Sequence, residues 1–218
     1  MSEGLERLIG EIKKHGFLKS KPLEEAIRKC PRGLFVPEDR KEDAYLDEPV
    51  HIGFGQTVSQ PSTVVLMTEA LKVEKGQNVL EVGTGSGWQS AILGVLVGEK
   101  GKIYTTERLK ALIRIAKDNL NRIGAKNIEV IEGDGSLGLK DKAPFDRIIV
   151  TAAVRFVPGP LLEQLKIGGF AIAPVGDMVS QEMILIKRVE KNKFERKFLG
   201  RFAFVPLLGE YGFSEGSV

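Results

Sequence analysis

The sequence predicts an α/β fold: a doubly wound, mostly parallel sheet with helices on both faces, an antiparallel C-terminal element and a helical segment in front. Three observations carry this expectation. From Asn78 onward, short apolar runs alternate with amphipathic stretches at the spacing of strand–helix units. The first run, Val79-Leu80-Glu81-Val82, passes directly into Gly83-Thr84-Gly85-Ser86-Gly87-Trp88, where glycines give the backbone access to positive φ and to close approach by a ligand. The last two apolar runs flank Glu190-Lys191-Asn192-Lys193, the layout of a hairpin.

The elements follow in chain order. Leu5, Leu8, Ile9 and Ile12 fall on one face of a helix over residues 3–15. Ser20 reads as the cap of a second helix, with Pro22 early and Glu24 and Glu25 in its first turn; Cys30-Pro31-Arg32 ends it. A short helix is expected around Lys41 to Tyr45, and residues 46–60, without clean periodicity, read as an ordered loop. Pro61 opens a buried helix through Leu71. Strands are expected at 78–83, 101–107, 127–132, 145–151 and near 168–174, with helices at 88–97, 109–123 and 159–166. The final strands are expected at about 181–189 and 194–204. Residues 1–60 thus form an N-terminal helical segment and loop, packed on a domain spanning 61–218.

Composition bounds the function. A chain of 218 residues, 42% hydrophobic and 28% charged, is an ordinary globular protein with a sizeable core. A net charge of +3 does not demand an anionic partner. No apolar run approaches the roughly 18 residues that span a membrane. The N-terminus lacks the basic-then-apolar plan of a signal peptide. Cys30 alone excludes an internal disulfide, and with only His15 and His51 beside it no metal cluster is expected. The expectation is a cytoplasmic protein, a monomer by default, with no membrane or nucleic-acid partner.

A strand, a glycine turn and a helix N-terminus together make a nucleotide-type cofactor site. Its glycines run G-x-G-x-G rather than G-x-G-x-x-G, which disfavours a nicotinamide dinucleotide. Glu81, two residues before Gly83, would repel a pyrophosphate but suits the ammonium and sulfonium of S-adenosylmethionine. The expected cofactor contacts are therefore Glu81, Gly83, Thr84, Gly85, Ser86 and Gly87. Glu107 ends the second strand 24 positions after Gly83, where an acid accepts from ribose hydroxyls; the alternative is a first-turn carboxylate for the next helix. Asp134-Gly135 follows the third strand, where Asp134 either accepts from an adenine amino group or makes an Asp-Gly turn. Thr151-Ala152-Ala153, after the fourth strand, either leaves room for a substrate or packs. In Gly53-Phe54-Gly55-Gln56-Thr57-Val58-Ser59-Gln60-Pro61, polar side chains sit beside glycines; Ser59 either serves a substrate or caps the helix at Pro61.

Taken together, these stretches resemble the protein-L-isoaspartate O-methyltransferase family over almost the whole chain. The similarity runs through Pro31-Arg32-Gly33-Leu34-Phe35-Val36-Pro37-Glu38, Gly55-Gln56-Thr57-Val58-Ser59-Gln60-Pro61, the glycine turn, and Gly133-Asp134-Gly135. It continues through Thr151-Ala152-Ala153, Gln164 to Gly169, Pro174-Val175-Gly176 and the tail Phe202 to Leu207. Many methyltransferases share the glycine turn; the Gln-Thr-x-Ser-x-Pro loop is the family-specific part. Trp88 departs from the Tyr expected after the third glycine, and Phe54 fills a variable place.

The resemblance implies a Rossmann-like methyltransferase sheet, S-adenosylmethionine as cofactor, and isoaspartyl-containing proteins and peptides as substrates. It implies Ser59 as the residue holding the substrate carboxylate, with Thr57, Gln56, Ala152 and Val205 beside the substrate. Two rivals are an RNA methyltransferase and a non-catalytic adaptor. For the first, the basic stretch Lys187-Arg188, Lys191, Lys193, Arg196-Lys197 and Arg201 is broken by Glu190 and Glu195 and reads as a solvated hairpin face. For the second, the glycine turn is undamaged.

Overall fold

The computed structural model describes residues 3–214 and residue 216. Helix α1 (Glu3–Lys14) buries Leu5, Leu8, Ile9 and Ile12, and α2 (Lys21–Lys29) buries Leu23, Ala26 and Ile27. Ser20 occupies the N-cap position of α2 without a side-chain bond. Its backbone N–H and that of Lys19 instead donate to Glu69 Oε1, at 2.7 and 2.8 Å. A 3₁₀ helix, Arg32–Leu34, and a longer one, Glu38–Tyr45, lead on; the second starts before the expected short helix because Pro37 opens it.

The stretch expected to be loop contains a small antiparallel pair, β1 (Val50–Gly53) and β2 (Gln56–Val58). Strands of four and three residues are too short to show periodicity, and the turn needs positive φ at Gly53, Phe54 and Gly55. Helix α3 (Pro61–Leu71) is buried along most of its length.

The main units then alternate: β3 (Asn78–Val82), α4 (Trp88–Val97), β4 (Lys102–Glu107), α5 (Lys110–Arg122), β5 (Ile128–Glu132), β6 (Phe145–Val150), α6 (Gly159–Gln164), β7 (Leu165–Gly176), β8 (Gln181–Glu190) and β9 (Lys193–Phe202). Only the sixth helix departs much from expectation. It stops at Gln164, and Leu165 enters β7 to pair with Phe145.

The seven-stranded sheet has the order β5-β4-β3-β6-β7-β8-β9. Strands β3 to β7 are parallel, and β8 and β9 close the edge antiparallel. Because strand side chains alternate, Val79, Ile103 and Ile149 pack on one face with Met67, Leu71 and Leu93, while Leu80, Val82 and Ile148 pack on the other with Leu161. A third cluster joins α1 and α2 to Trp88, Ile92, Leu112 and Leu120, so the N-terminal segment shares its core with the sheet domain. Buried within it, the Cys30 thiol is 1% exposed and pushed up to about 12 by desolvation. Among the described residues, no helix is long and apolar enough to cross a membrane. The chain runs β3-β4-β5 to one side and then returns to β6 on the other, so a crevice opens at the C-terminal ends of β3 and β6.

Candidate active site

The glycine turn forms one wall of this crevice. Gly83, Gly85 and Gly87 have φ of 99°, 56° and 91°, the region that side chains with a Cβ avoid. A Cβ on Gly83 would collide with Thr151 Oγ1, which donates to the carbonyls of Val82 (2.9 Å) and Gly83 (2.6 Å). Thr84 Oγ1 and Thr105 Oγ1 bond at 2.7 Å. The turn is thereby fastened to both neighbouring strands.

Glu107 makes the first-turn contact and also borders the crevice. One carboxylate oxygen accepts from the backbone N–H groups of Arg108 (2.9 Å) and Leu109 (3.0 Å), ahead of α5. The other accepts from Gly85 N at 3.0 Å. The carboxylate also lies between two lobes of the crevice. The first is lined by Gln56, Gly83 to Ser86, Trp88, Gln89 and Ala152; the second by Thr106, Leu109, Gly133, Gly135 and Leu207. Gly135 borders the second lobe and packs closely, for a Cβ there would run into Thr106 Oγ1 and Val82 Cγ1.

Two expected acids are on neither wall. Asp134 caps the short 3₁₀ turn Gly135–Leu137 by accepting from Ser136 N at 2.9 Å, and its other oxygen accepts from Glu210 N at 2.7 Å. Glu81 is fully buried beneath the turn, where the Ser90 hydroxyl donates to one oxygen and the other has no partner. Desolvation pushes Glu81 up to about 8, against the lowering effect of the nearby Ser90 and Thr105 hydroxyls. Gly87, the N-cap of α4, also stands behind the wall.

Outside the first lobe lies a groove of about 730 Å³, edged by His15, Asp47, Leu66, Arg201 and Phe202. Five residues border both spaces: Thr57, Ser59, Thr151, Phe204 and Val205. Ser59 does not cap α3. The N-cap is Gln60, and it is Asp47 that accepts from Ser62 N at 2.8 Å and from Gln60 Nε2 at 3.2 Å. The Ser59 carbonyl accepts from Arg32, while its hydroxyl has no bond to any described residue.

The structure places Trp88 on the cleft wall, where the sequence already put its bulk, and adds Gln89 and Phe204, which the sequence reading did not assign to the site. Trp88 and Gln89 are placed by α4 directly after the turn, and Phe204 by the tail that leaves β9. The only signal of Gln89 and Phe204 was adjacency to stretches already singled out. The basic stretch does not form one face: Arg188 turns inward to the carbonyls of Glu163 and Leu165, Lys193 pairs with Glu190, and Arg201 faces the outer groove.

The arrangement is a cleft beside a glycine turn that opens onto a groove past a free hydroxyl, with no histidine on the inner wall. Comparison with known proteins agrees with it. A protein-L-isoaspartate O-methyltransferase of Methanothermobacter thermautotrophicus is 43% identical over 213 residues, covering 97% of this chain and 98% of the relative. One of the same name from Pyrococcus horikoshii is 46% identical over 214 residues, covering 98% and 96%. A solved protein-L-isoaspartate O-methyltransferase superposes with a TM-score of 0.86 at 30% identity, over 95% of this chain and 67% of that one. The Plasmodium falciparum protein solved with S-adenosyl-L-homocysteine has a TM-score of 0.83 over 93% of this chain and 97% of its own; at 22% identity it speaks to the fold. The family model described as Protein-L-isoaspartate(D-aspartate) O-methyltransferase matches residues 3–212, and this chain belongs to that family.

Proposed function

We propose that this protein transfers a methyl group from S-adenosylmethionine to the free carboxylate of L-isoaspartyl residues in damaged proteins. The observation that carries the reading is the unpartnered Ser59 hydroxyl on the border between the glycine-turn cleft and the outer groove. The crevice suits this cofactor: the turn tolerates close approach along Gly83 to Ser86, Glu107 is placed for ribose hydroxyls, and the lobe beside Gly135 takes a flat base. Gly87 and Glu81 support the turn from behind, and Asp134 holds Gly135 in place. When bound, the cofactor supplies a methyl already activated by its sulfonium.

This chain's residues then have to position rather than activate. The substrate carboxylate is ionised at neutral pH, so no general base is needed. Ser59 donates to one carboxylate oxygen and leaves the other aimed inward, with Thr57 and Gln56 beside it and Ala152 and Val205 shaping the space. A carboxylate oxygen–methyl bond forms as the sulfur–methyl bond breaks, and no proton moves. Trp88 and Phe204 keep water from the reacting atoms, which must be held about 3 Å apart. The neighbouring backbone nitrogen then attacks the ester and methanol leaves with the amide proton, giving a succinimide that takes up water and reopens partly to normal aspartate. The proposal includes a cytoplasmic monomer without a nucleic-acid partner, in keeping with a thiol kept free and buried.

Methyl transfer to paired peptides that differ only in Asp versus isoAsp tests this. Moving one methylene between side chain and backbone displaces the carboxylate beyond the tolerance for in-line attack. The isoaspartyl peptide should be methylated and its partner left alone. Equal methylation of both would remove the repair assignment, and strong activity on transfer RNA instead would favour the RNA reading.

A further inference from the structure

We propose that Arg32 is the positioning residue of the substrate loop, fixing the backbone from which the Ser59 hydroxyl reaches the substrate. The inference rests on the role proposed for Ser59. Arg32 is 1% exposed, and its guanidinium binds carbonyls rather than a carboxylate. Nη1 donates to Ala44 O (3.1 Å) and Leu46 O (3.4 Å). Nη2 donates to Glu48 O (2.8 Å), Val58 O (3.2 Å) and Ser59 O (3.1 Å). These acceptors lie on both sides of the β1–β2 hairpin, so one side chain clamps the two stems of the loop. The guanidinium also lies over Trp88, 5.3 Å from the ring centroid. Trp88 in turn donates Nε1 to Cys30 O at 2.9 Å and walls the cofactor cleft. A single planar cation therefore ties the substrate loop to the helix that follows the glycine turn. The Ser59 carbonyl is held while its hydroxyl stays free, which is the arrangement a positioned but unspent donor requires.

A second buried guanidinium shows that such a clamp need not concern the site. Arg147, 7% exposed, donates to Leu71 O, Lys72 O and Asp146 O and lies over Phe170 at 5.1 Å. It stands near the start of β6, at the other end of the sheet from the crevice. Arg147 is thus a matched control for the general cost of shortening a buried arginine. Lysine replaces the planar five-donor fork with a point charge and cannot span the same acceptors.

The test is a double-mutant cycle on the full chain, with Arg32→Lys, Ser59→Ala, both together, and Arg147→Lys. It reads single-turnover methylation of an isoaspartyl peptide at saturating S-adenosylmethionine, cofactor affinity by calorimetry, and melting midpoint, with rates taken well below every midpoint. Arg32→Lys should slow methyl transfer about tenfold or more, keep cofactor affinity within about twofold, and add almost nothing in the Ser59→Ala background. Multiplying losses in the double variant would overturn the proposal. So would an equal slowing in Arg147→Lys, or a cofactor affinity that falls as far as the rate. Full turnover in Ser59→Ala retires the Ser59 reading and this inference with it. A slow Ser59→Ala beside a fast Arg32→Lys retires this inference alone. If Arg32→Lys does not fold, Arg32→Gln enters the same cycle.

Discussion

The two walls of the crevice are built in opposite ways. The wall proposed for the cofactor is contiguous: residues 82–88 form a strand end, a turn and a helix start, and their shape is set by backbone conformation at three glycines. The wall proposed for the substrate is suspended. Ser59 and its neighbours are held by side chains from elsewhere in the chain, Arg32 at 27 residues' separation and Asp47 at 15. A backbone-built wall fails when space or torsion is denied to it. A suspended wall keeps its fold and loses its aim.

The largest effect should come from the first wall. Gly83→Ala places a Cβ at φ +99° and against Thr151, which itself holds the turn. Cofactor binding should be lost together with about 3 kcal/mol or more of stability, seen by calorimetry and thermal denaturation. A variant that melts and binds like the parent would show that the turn is not set by its glycines.

Next comes Ser59→Ala, on the suspended wall. Turnover should fall ten- to a thousandfold, about 1.4–4 kcal/mol of transition-state stabilisation. Stability should move by less than about 0.5 kcal/mol, because the hydroxyl has no internal partner to lose. A less stable but fully active variant would reverse that assignment.

Glu107→Ala tests whether the two walls are independent. It should weaken S-adenosylmethionine binding by about 1–3 kcal/mol, the usual loss for a charge-assisted hydrogen bond, and leave the peptide KM nearly unchanged. A peptide KM that rises in step with the cofactor loss would mean that the walls move together.

Least affected at the site, Glu81→Gln is read in stability against pH. The carboxyl of Glu81 is raised from 4.5 to about 8, so the folded state holds a proton that the unfolded state has released. Its stabilising contribution is therefore complete below about pH 4.5 and lost as the pH climbs through about 8. The parent's midpoint should drop relative to Glu81→Gln across that window, with the gap constant above it. Parallel curves for the two proteins would show Glu81 to be ionised throughout.

The same contrast explains what could be read from the sequence. Strands β3, β4, β5 and β6 were legible to within a residue, most clearly β3 and β6, which are buried over their last four residues and so read as short runs with clear ends. The glycine turn was legible because it is local. The β1–β2 pair was not, being too short for periodicity, and Leu165 was read as helix although its pairing with Phe145, 20 residues earlier, draws it into β7. Ser59 could be read two ways because the competing cap, Asp47, approaches Ser62 only in three dimensions. Arg32 belonged to a matching stretch, but nothing in the order of residues says that one guanidinium gathers five carbonyls.

The thiol of Cys30 has a use outside this chemistry. Thiolate is the species that alkylates and oxidises, and a sulfur 1% exposed and raised to about 12 offers almost none of it at neutral pH. The folded protein is accordingly protected at this thiol, and labelling of Cys30 requires the packing around its side chain to open. The rate of modification by an excess of reagent is then a clock for that opening, read from the native protein without any engineered probe.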